Sequence, residues 1–96
     1  MNVRYTETAL GEIRAIRAYI SERNLSAADA VIGRVKAAIQ RLSEFPLSAI
    51  ETDMPRVRMT PVASYPYLIF YTVEADEVVI LHVRHGARLK PWEADR

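Results

Sequence analysis

Apolar residues recur along this chain with two different spacings, and the change from one to the other divides it. In the first half the spacing is helical. Ala9, Ile13, Ile16 and Ile20 fall on one face, and Val31, Ile32, Val35, Ala38, Ile39 and Leu42 form a longer stripe further on. Thr6 is the expected N-cap of the first helix, with Glu7 in its first turn, and Asn24 is its expected stop. Ser26-Ala27-Ala28-Asp29 reads as a capping box opening the second helix. Phe45-Pro46 closes it, because proline disfavours helical geometry in the residue before it. Glu12, Arg14 and Glu22 are expected on the wet side of the first helix. Two helices with so short a connection form an antiparallel hairpin.

The second half changes to the spacing and composition of strands. Arg56–Val62 alternates, with Val57 and Met59 on one side and Arg56, Arg58 and Thr60 on the other. Pro61 cannot donate to a ladder, so that strand ends there or lies at an edge. Tyr67–Val73 and Val78–Val83 are rich in aromatic and β-branched residues and flank the acidic connection Glu74–Glu77, which predicts an antiparallel hairpin. Before the helices, Val3 and Tyr5 alternate with polar residues as a short strand. Leu47–Pro55 reads as loop. The expected fold is α+β, one domain over residues 1–96, in the order β-α-α-β-β-β. The helical hairpin packs on one face of a small, mainly antiparallel sheet. Val57, Met59, Leu68, Phe70, Val79, Leu81 and Val83 are expected to face the helices, leaving Arg56, Arg58, Tyr67, Tyr71, His82 and Arg84 on the other face.

Composition narrows the classes without choosing one. Half of the 96 residues are hydrophobic and 26% are charged, the mix of a folded domain. Thirteen basic residues, mostly arginine, nearly balance twelve acids, so net charge does not announce a nucleic-acid binder. There is no cysteine, hence no disulfide framework or thiolate metal site. No apolar run reaches the roughly 20 residues of a membrane span and no signal segment is evident, so a cytoplasmic protein without membrane contact is expected.

The candidate chemistry is sparse. His82 and His85 stand three apart on a strand and should point to opposite faces, so no metal site or cofactor is expected. The three glycines are scattered and form no phosphate loop. A sheet face of interleaved basic and aromatic side chains could bind RNA, or could simply be solvated. Trp92 either pins the C-terminal segment to the body or anchors a partner.

In order and spacing, these elements resemble the RelE/ParE superfamily of toxins from type II toxin–antitoxin modules, ParE most of all. The resemblance rests on the opening strand, the helical hairpin ending at Leu42…Pro46, Val57-Arg58, the strand Tyr67-Leu68-Ile69-Phe70-Tyr71, and Val79–Val83 running into His85-Gly86-Ala87-Arg88. It implies three points of departure from members that cut mRNA on the ribosome. Those carry an arginine after the tyrosine that opens the third strand, a basic residue after the histidine of the last strand, and a tyrosine near the C-terminus. Here Leu68, Gly86 and Trp92 stand at those places. Leucine and glycine cannot stabilise developing phosphorane charge, and tryptophan cannot give up a proton. The resemblance therefore implies a non-enzymatic, ParE-like toxin that poisons DNA gyrase. Its partner is expected to be a ParD-like antitoxin with a ribbon-helix-helix part and a helical tail, and DNA is met only through gyrase or antitoxin. Arg84, His85, Arg88, Trp92 and Arg58 are the candidates for activity; Ala15, Tyr19 and Leu25 are those for antitoxin binding. The alternatives are a ribosome-dependent endonuclease using Arg58, Arg84 and Arg88, or a non-toxic member that serves only as a complex partner.

Overall fold

The structure, a computed structural model, describes residues 1–87 and 92. Strand β1 (Asn2–Tyr5) leads into helices α1 (Glu7–Ser21) and α2 (Leu25–Glu44). Strands β2 (Ile50–Glu51), β3 (Arg58–Pro61), β4 (Tyr67–Glu74) and β5 (Glu77–His85) follow. They form one five-stranded sheet in the order β1-β5-β4-β3-β2, parallel only where β1 meets β5. This is the expected α+β architecture, with one small strand added. Ile50 and Glu51, read from sequence as loop, pair with Met59 and Arg58. No described helix is long and apolar enough to cross a membrane.

The helix ends follow from their caps. Thr6 accepts the Ala9 N–H through its hydroxyl oxygen at 3.1 Å, and the same hydroxyl lies 3.0 Å from the Ile80 carbonyl. One residue thereby caps α1 and fastens it to β5. Asn24 does not stop α1; it caps α2, its side-chain oxygen accepting the Ala27 N–H at 3.0 Å. That displaces the expected capping box, and Asp29 instead pairs with Arg17 across the hairpin at 2.8 Å. Phe45 is the C-cap of α2, as the following proline requires.

The core forms where the apolar stripes meet the sheet. Ala9, Val31, Val35, Ile39 and Leu42 pack with Ile69, Tyr71, Val78, Ile80 and Val83. Leu42 is 1% exposed, and Leu42→Ala should cost about 2–5 kcal/mol by opening a cavity.

The face assignment made from alternation is corrected here. In β4 it is Ile69 and Tyr71 that join the helix-facing core, so Leu68 and Phe70 lie on the other side. In β5 the alternation itself breaks. Phe70 pairs with His82 and Tyr71 with Ile80, leaving Leu81 as the extra residue of a β-bulge. Val78 and Ile80 face the helices before the bulge and Val83 after it, so an unbroken period places Val79 and Leu81 wrongly. The proposed open face of basic and aromatic side chains dissolves as a result. Tyr71 is fully buried, and Arg58 and Tyr67 share the helix side with it by register. The far face carries Leu68, Phe70, His82 and Arg84, and Trp92 packs edge-on against Phe70 with ring centroids 5.7 Å apart.

Candidate functional site

One turn of α1 after another delivers Glu12, Ala15, Ile16 and Tyr19 to the same side of the helix. Opposite them stand Tyr67 at the start of β4 and Val83, Arg84 and His85 at the end of β5. Together these residues line a groove of about 430 Å³. It contains Ala15 and Tyr19 from the antitoxin-binding candidates, and Arg84 and His85 from the activity candidates. Two sets inferred on separate grounds therefore share one cavity.

The polar end of the groove is organised by Glu12. Beyond Ile80, no strand among the described residues lies on the outer side of β5, because β1 has already turned into α1. Glu12 fills that open edge. Its Oε1 accepts the Val83 N–H at 3.0 Å and lies 3.2 Å from His82 Nδ1, while Oε2 accepts from Arg84 Nε at 3.1 Å. A carboxylate can only accept, so His82 carries its proton on Nδ1. The Glu12 side chain is 17% exposed and that of Arg84 13%, so this ion pair is shielded far more than a surface bridge. Glu12 was expected on the wet side of α1. It lies three residues after Ala9 and four before Ile16, both inward positions, and that spacing was the available signal.

His85 is held differently. Its Nδ1 accepts the Ala87 N–H at 3.0 Å, and its ring meets Tyr67 edge-on at 5.7 Å between centroids. A backbone amide can only donate, so Nδ1 is the acceptor of that pair.

Tyr19 is the exposed wall of the groove at 59% accessibility, with the Arg23 guanidinium stacked 4.1 Å from its ring centre. Leu25, also well exposed, begins α2 beyond the groove. Arg58 is elsewhere. It donates to the carbonyls of Leu47 at 3.3 Å and Ala49 at 2.9 Å and pairs with Glu51, tying the segment after α2 to β3. Trp92 sits on the far face of the sheet over Phe70. Arg88 lies outside the described residues. Sequence reasoning missed Glu12, Ile16 and Tyr67, whose part in the groove depends on how α1 crosses the sheet.

The family described as ParE toxin of type II toxin-antitoxin system, parDE, matches residues 3–90 of the chain. "Putative toxin Y4kP" of Sinorhizobium fredii is 34% identical over 89 residues, covering 93% of this chain and 92% of that protein. Toxin RelE2 of Caulobacter vibrioides is 34% identical over 85 residues, covering 88% and 94%. Among solved structures, the chromosomal ParDE TA system from P. aeruginosa includes a chain with the same fold. It has a TM-score of 0.77 and 18% identity, with 88% of this chain and 95% of that one covered.

Proposed function

The chain belongs to the ParE toxin family of type II toxin–antitoxin systems, and we propose that it acts by occupying DNA gyrase and not by cutting RNA. One observation carries this reading. The positions at which the resemblance implies cations in RNA-cutting members, 68 and 86, are a leucine and a glycine lying side by side. A β-carbon on Gly86 would stand 3.8 Å from the Leu68 side chain. Cleavage of RNA needs a base for the 2′-hydroxyl and positive charge for the phosphorane. The cation nearest His85 in the groove, Arg84, has its guanidinium engaged by Glu12.

The groove between α1 and the ends of β4 and β5 is the proposed seat of the antitoxin's helical tail, and the antitoxin itself is proposed to be ParD-like. Apolar grooves lined by residues at helical spacing accept amphipathic helices. Ala15, Ile16 and Tyr67 supply the apolar floor, and Tyr19 an aromatic anchor of the kind that dominates such contacts.

The ribonuclease reading has one observation in its favour, a relative named Toxin RelE2 at 34% identity. It would draw on Arg58 and Arg84, yet the first is bound to two loop carbonyls and the second to Glu12. The deciding experiment is gyrase supercoiling in the presence of purified, folded toxin. Inhibition that antitoxin reverses supports the proposal; full supercoiling activity at a large excess of toxin refutes it.

A further inference from the structure

We infer that Glu12 is a positioning residue for the toxin's activity: it holds Arg84 and the end of β5 in the geometry that the target meets. The inference rests on the reading that Arg84 and His85 belong to the active surface. Three polar groups converge on this one carboxylate, from three consecutive residues of β5: the His82 ring, the Val83 amide and the Arg84 guanidinium. A residue that only needed to solubilise α1 would not sit 17% exposed against a strand edge.

What Glu12 replaces explains why it is needed. Strand β1 covers the outer edge of β5 only as far as Ile80, and the bulge at Leu81 re-aims the residues that follow. No strand among the described residues pairs that edge further on, and an unpaired edge lets the Val83 amide and the last residues of β5 fray. Glu12 supplies the missing acceptor and, with its second oxygen, sets the Arg84 side chain through Nε. His85 and Gly86 follow directly, so the direction in which β5 leaves the sheet depends on the same contact. The acid is on α1, the arginine on β5, and both line the groove, so the pair joins its two walls.

The test uses substitutions that separate positioning from folding. Glu12→Gln keeps an acceptor for the Val83 amide and removes the charge that orders Arg84. Arg84→Lys keeps the positive charge and removes the Nε donor. Both variants should fold, as judged by thermal unfolding and circular dichroism, and both should lose about tenfold or more in potency, the scale of one charge-assisted hydrogen bond. The double variant should be no weaker than the worse single one, because both break the same contact. Potency is read as supercoiling inhibition and, independently of target, as growth arrest on induction without antitoxin. If the wild type arrests growth without inhibiting gyrase, the gyrase reading fails alone, and the growth comparison still decides the role of Glu12. Wild-type potency in folded Glu12→Gln or Arg84→Lys, or losses that simply add in the double variant, would overturn the inference.

Discussion

Gly86 rests against Leu68. Its amide donates to the Pro66 carbonyl at 2.7 Å, and a β-carbon there would meet Leu68 Cδ1 at 3.8 Å and the Pro66 oxygen at 3.5 Å. The ladder explains the contact. Tyr67 pairs with His85 and Leu68 with Arg84, so residue 86 lies just beyond the last pair, folded back over the start of β4. The two positions at which the resemblance implies cations are thus neighbours in one local patch.

Because those distances are ordinary van der Waals contact, and Gly86 has no positive φ, the glycine is not required by the backbone. Gly86→Ala should change stability by less than about 0.5 kcal/mol in urea unfolding. A loss of several kcal/mol would mean that the chain needs glycine there for folding.

Arg58 was a candidate for activity by sequence, and its contacts make it a structural residue. Arg58→Ala leaves two loop carbonyls without their donor and should cost about 1–3 kcal/mol. The fraction that folds should still inhibit the target fully. Denaturant midpoints and potency per folded molecule distinguish this from a direct role.

Tyr71 lies in the core with its hydroxyl donating to the Pro46 carbonyl at 2.7 Å. Burial raises its pKa above the ordinary 10.0, opposed by the nearby Arg58 charge and a hydrogen bond from the Ala49 backbone; burial raises that of Tyr5 as well. The folded state therefore favours the neutral phenol. That advantage is complete below pH 10 and is lost as pH climbs through the folded value. Stability should fall above about pH 10. Tyr71→Phe should flatten that fall while costing about 1–2 kcal/mol at neutral pH, since Pro46 loses its donor. Urea unfolding at pH 7 and above pH 10 checks both.

Tyr19 is exposed, so Tyr19→Ala should barely alter unfolding. If the groove seats the antitoxin helix, the same change should weaken the complex by about 2 kcal/mol, roughly thirtyfold in Kd. Titration calorimetry with the purified antitoxin measures it, and an unchanged Kd would move the helix elsewhere.

The sequence made legible whatever local periodicity controls. The helical hairpin, the proline-bounded end of α2 and the β4–β5 hairpin all follow from spacing and turn residues. The facing of the sheet did not, because β4 is apolar on both sides and a single bulge at Leu81 reverses the phase of β5. The first left Tyr71 expected at the surface when it lies in the core, and the second misplaced Val79 and Leu81. Arg84 and His85 were legible as a basic segment after a strand, and Ala15 and Tyr19 as flanks of a helical face. Their meeting in one groove depends on the crossing of α1 over β5, which no local signal encodes. Glu12 was misplaced for the same reason: an acid on a helix reads as solvent-facing until the open strand edge beside it is known.

The central claim is that this toxin harms by occupation and breaks no RNA bond. The most direct measurement is the length of messenger RNA in a translating extract supplied with folded toxin at well below one molecule per transcript. Full-length transcripts throughout are the predicted result. Cleavage of many transcripts by each toxin molecule would contradict it.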